Sequence, residues 1–71
     1  MSLSKVARGR RVTIVSLKTR RSLVERLAAL GIFPGAEVEV VRTSRCGEMI
    51  LSCLDSRFAL GGELTQAIEV V

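Results

Sequence analysis

With 71 residues, 48% of them hydrophobic and 25% charged, the chain is sized for one domain and too apolar for the disordered class. It has no histidine and two aromatic residues, so its core must be aliphatic, and no run reaches the ~18–20 apolar residues that cross a membrane. The formal charge of +4 is unevenly spread: seven bases and no acid precede Ser22, while four bases face seven acids from Ser22 onward.

That asymmetry has two readings, a face that meets something anionic or a solvated basic arm and strand. The opening "MSLSKVARGRR" lacks the apolar segment of a signal peptide. The chain is therefore expected in the cytoplasm, with Cys46 and Cys53 as reduced thiols.

In chain order, "RRVTIVSL" is β-branched and apolar on both faces, as in a strand of a small closed barrel. "KTRR" is a polar connection. Ser22 with Glu25 three residues later has the form of a capping box and starts a helix over about 22–30. Leu23, Leu27 and Leu30 recur as one apolar stripe, able to plug a barrel end. Gly31 stands at the left-handed position after the helix, so that Ile32 pairs with Leu27 in a Schellman stop, and Pro34 forbids continuation. Pro34-Gly35 turns the chain into "AEVEVVRT", where Val38 and Val40 alternate with Glu37 and Glu39. "SRCG" is a hairpin turn and "EMILSCL" the returning strand. "DSR" is a second tight turn, "FAL" a short strand, "GGELTQA" a helical turn over about 62–67, and "IEVV" a last strand. The sum is an all-β domain over 1–71, a small SH3-like or OB-like barrel of about five strands with an inserted helix.

The corner "RLAALGIFPGAEVEV" resembles the ferrous iron transport protein A (FeoA) family. Arg26-Leu27, Leu30-Gly31, Pro34-Gly35 and the Val38/Val40 alternation match its pattern in register. Leu3, Gly9 and "VTIVSL" fit its opening, and "RFALGGELTQAIEVV" its closing segment. The chain departs from the pattern in "SRCGEM", which lacks the usual proline, at Asp55, where a glycine is usual, and at Gly61, where a base is common. The resemblance implies an SH3-like adaptor that accompanies a membrane ferrous-iron transporter with a cytosolic GTP-binding domain. It places the chain in the cytoplasm, peripheral to the inner membrane through that partner.

The chemistry carried by the residues is sparse. No carboxylate pair shares a helix face, and Gly61-Gly62 lacks the strand-to-helix context of a phosphate loop, so no catalytic residue is expected. A two-His-one-carboxylate ferrous site is impossible without histidine. Cys46 at a turn tip and Cys53 seven residues along the strand lie on the order of 20 Å apart. That is beyond the roughly 7 Å limit for a disulfide, and too far to share a metal. Cys53 reads as core and Cys46 as an exposed thiol able to bridge two chains. No cofactor is implied. The candidate partner-binding residues are Arg8, Arg10, Arg11, Lys18, Arg20, Arg21 and Phe33, the last being either a lid on the barrel end or an exposed contact. Ser22, Glu25, Leu27, Gly31, Pro34 and Gly35 are expected to build the corner. The competing reading is a basic barrel that binds nucleic acid, although stacking aromatics are missing.

Overall fold

Strict alternation along the strands decides which side chains form the core. The structure, a computed structural model, describes residues 1–71. A 3-10 turn at Leu3–Lys5 precedes β1 (Arg11–Leu17), α1 (Arg21–Ala29), β2 (Glu37–Thr43), β3 (Met49–Cys53), β4 (Ser56–Leu60), α2 (Gly62–Gln66) and β5 (Ile68–Val70). Val12 and Ile14, Val38 and Val40, Met49, Leu51 and Cys53, and Ile68 and Val70 all point inward and are buried. The residues between them face outward, as the two-residue period of a strand requires.

The strands are antiparallel neighbours in the order β4-β3-β2-β1-β5. Two of them are shared between partners. β1 pairs with β2 through Arg11–Thr13 and with β5 through Ile14–Leu17, while β2 gives Glu37–Glu39 to β1 and Glu39–Thr43 to β3. Just past each changeover one residue is extra, Val15 in β1 and Val41 in β2. Such bulges bend a strand and add twist. They curl the sheet around its aliphatic core, giving the small SH3-like barrel. Val15 is half exposed at its bulge, so β1 is not apolar on two buried faces as its composition implied.

The helix ends as its sequence dictates. Gly31 has φ +98, the Ile32 N–H donates to the Leu27 carbonyl at 2.9 Å, and the Gly31 N–H donates to the Ala28 carbonyl at 3.0 Å. These are the two bonds of a Schellman motif, and its apolar pair, Leu27 and Ile32, is buried.

The helix start differs from the expectation. Arg20 is the N-cap, Ser22 lies inside the first turn, and no side chain caps the helix. The Ser22–Glu25 capping box is therefore not formed. The reason is tertiary: Lys18 is still tied to the sheet by its N–H to the Ala67 carbonyl at 2.7 Å. Only Thr19 and Arg20 remain to turn the corner, so the helix begins before the capping signal. Leu30 is also not part of the buried stripe; as C-cap it is 48% exposed, while Leu23 packs on the core beside Leu27. The second turn sits one residue earlier than "DSR". Leu54 and Asp55 connect the paired Cys53 and Ser56, which lengthens the following strand to five residues.

A polar lock closes the far end. Thr65 is fully buried, and its hydroxyl lies 2.8 Å from the Gly47 carbonyl and 3.0 Å from that of Gly62. It fastens the β2–β3 hairpin to α2. A side chain at Gly62 would collide with the Cys46 carbonyl, so this close approach requires glycine.

The Gly31 stop can be tested apart from crowding, because a Cβ there would meet only the Cys53 sulfur at an ordinary 3.6 Å. Gly31→Ala is expected to cost about 1–2 kcal/mol through backbone strain alone. Thermal denaturation should register a fall of roughly 4–8 °C per kcal/mol. An unaltered melting temperature would contradict the left-handed stop.

Candidate docking surface

The basic residues of the first third do not form one patch, because β1 stands between them. Arg8, Arg10 and Arg11 lie at its start and Lys18, Arg20 and Arg21 past its end, about 20 Å apart at strand rise. That separation spans most of a molecule measuring 27 × 24 × 20 Å.

At the first end, the Gly9 N–H donates to the Val40 carbonyl at 2.7 Å, and the Val40 N–H to the Arg10 carbonyl at 2.9 Å. This brings Arg8 and Arg10 beside the part of β2 that continues into Arg42. Arg11 differs from its neighbours. Its guanidinium reaches Glu37 at 3.6 Å and Glu39 at 3.8 Å. All three side chains are exposed, so this is worth little to stability.

At the second end the geometry is more specific. Arg20 and Arg21 occupy the N-cap and first turn of α1, with Lys18 just before them. A helix N-terminus carries partial positive charge and disfavours cations, by about 0.3–1 kcal/mol each when exposed. None of these three is in an ion pair. Lys18 and Arg20 line a depression of about 430 Å³ together with Leu23, Glu63 and Leu64. The Met1 ammonium, hydrogen-bonded to Glu69 at 3.0 Å, holds that carboxyl below its usual range, and Lys18 adds a smaller attraction.

Phe33 is 44% exposed. It stands just before the Pro34-Gly35 corner, which is sewn to β1 by the Gly35 N–H to the Ile14 carbonyl at 2.7 Å and the Ile14 N–H to the Ala36 carbonyl at 2.9 Å. Leu54 joins Phe33 along a groove of about 380 Å³. Sequence reading passed over Leu54. The available signal was a leucine in a two-residue turn, where a small or polar residue is usual.

Cys46 is exposed at the hairpin turn, and Cys53 is buried with its thiol 3.5 Å from the Gly31 carbonyl. No three Cys, Asp or Glu side chains come together as metal ligands. Anaerobic calorimetry on the monomer is therefore expected to show no one-to-one micromolar Fe²⁺ binding; such binding would contradict this donor arrangement.

A family model described as the FeoA domain matches residues 1–71. No curated protein matches the chain in sequence. Among solved structures, FeoA from Chlorobium tepidum is 25% identical with a TM-score of 0.89, over 99% of this chain and 68% of that one. An iron uptake regulatory protein (FeoA) is 27% identical with a TM-score of 0.88, over 99% and 93% of the two chains. Stenotrophomonas maltophilia FeoA, solved with zinc, is 24% identical with a TM-score of 0.81, over 100% and 89%. It is described as a prokaryotic SH3 domain protein and a candidate activating factor for ferrous iron transport.

Proposed function

The chain belongs to the FeoA family, and from that premise we propose that it is a small cytoplasmic accessory protein of ferrous iron uptake. It docks on the cytosolic, GTP-binding part of a membrane Fe(II) transporter and modulates it, without catalysis of its own. The observation that carries this reading is the trio Lys18, Arg20 and Arg21. Three exposed cations without an ion pair gather at the positive end of α1, and only Lys18 has a carboxylate, that of Glu69, near enough to attract it. An acidic protein surface placed there would relieve both their mutual repulsion and their conflict with the helix dipole. Charge of this kind acts on encounter rate and specificity more than on final affinity.

Nucleic acid would also be drawn to this charge. Stacking platforms are what single-strand binding needs in addition, and Phe33 lies in a groove bordered by Glu37 and Glu39 rather than among the unpaired cations.

Arg20→Glu with Arg21→Glu is expected to slow association with the transporter's cytosolic domain on the order of tenfold at low salt. The difference should shrink as salt rises, and the melting temperature should hold or increase. Interferometry over a salt series reads the association rates. Capture of an oligonucleotide by the wild type, with no transporter domain bound at any ionic strength, would overturn the proposal.

A further inference from the structure

Two penalties coincide at Leu54. Its side chain is 93% exposed, and its backbone has φ +56, the only non-glycine residue with positive φ. A two-residue connection between paired strands ordinarily takes glycine or asparagine there. Strained non-glycine residues of this sort concentrate at binding and switch sites. Phe33, itself 44% exposed, lines the same groove of about 380 Å³. Gly31, Ala36 and Cys53 line it as well.

The groove also differs in sign from the rest of the molecule. Glu37 and Glu39 share the outer face of β2 along it, and Arg11 is their single counter-charge. The local balance is negative in a chain of net charge +4.

We infer that this groove binds an extended segment of a partner protein in which an aliphatic residue adjoins a lysine or arginine. The aliphatic side chain lies between Phe33 and Leu54, and the cation turns to Glu37 and Glu39, within reach of the Phe33 ring. The apolar walls select the first group, and the two carboxylates select a cation over an anion. A second copy of the chain fits poorly, because two exposed apolar side chains fall short of the roughly 800 Å² per partner of a stable interface. The inference does not depend on the transporter reading, since it concerns a different face with the opposite charge preference.

Three short fluorescent peptides, identical except for a central Leu-Arg-Leu, Leu-Glu-Leu or Ser-Arg-Ser, test it by anisotropy at physiological salt. The Leu-Arg-Leu peptide should bind roughly tenfold tighter than either of the others. Leu54→Gly should abolish that preference while keeping or raising the melting temperature, because glycine relaxes the turn. Backbone amide shifts should move at Phe33, Glu37, Ser52 and Leu54. Equal binding of all three peptides, binding of none, or a Leu54→Gly variant that binds like the wild type would overturn it. So would sedimentation showing a dimer that Leu54→Gly dissociates.

Discussion

The hydrogen bond from the Ile32 N–H to the Leu27 carbonyl, made possible by a left-handed Gly31, sets the course of the chain from α1 into the sheet. It ends α1 with Leu27 and Ile32 both in the core. It then delivers the chain to Pro34 and Gly35, and Ala36 is bonded directly to Ile14 of β1. That contact sets the register in which Thr13 faces Glu37 and Val12 faces Val38. A slip of one residue would send Val38 and Val40 to solvent and Glu37 and Glu39 into the core. A domain of this size has little stability to spare for such an error. The corner is thus both the end of a helix and the start of the sheet's register.

The same corner creates the surface. Burying Ile32 and Ala36 on either side of the turn leaves Phe33 outside, and keeping Val38 and Val40 inward leaves the two glutamates outward. Phe33, Glu37 and Glu39 therefore share one groove as a consequence of how the core is packed. The opposite charge preference arises at α1's other end. There the short Thr19-Arg20 connection forces arginines into the first helical turn, against the dipole. A single helix separates a cationic end from an apolar, locally acidic end.

Local signals made much of the fold legible. Gly31, Pro34 and the Val/Glu alternation each specify one backbone conformation, and the helix stop and strand faces result from them. What sequence misjudged depended on distant contacts. The capping box at Ser22 is locally attractive, yet the bond between Lys18 and Ala67 decides where the helix starts. The bulges at Val15 and Val41 leave no mark of their own among neighbouring valines. Thr65 looks like an ordinary surface threonine until the β2–β3 hairpin lies on it. The candidate site was legible as composition and not as arrangement. Seven bases before Ser22 can be counted, but their division between the two ends of β1 emerges only from strand length. Leu54 was hidden because its importance rests on backbone strain and on Phe33 across the groove.

The central claim, that this domain docks on a transporter's cytosolic part through the basic end of α1, is tested most directly by amide chemical-shift mapping. The isotopically labelled protein would be titrated with that cytosolic domain at low and physiological salt. The account predicts salt-sensitive shift changes centred on Lys18 to Leu23 and extending to Glu63 and Leu64. Changes confined to Arg8, Arg10 and Arg42, or none at either salt concentration, would contradict it.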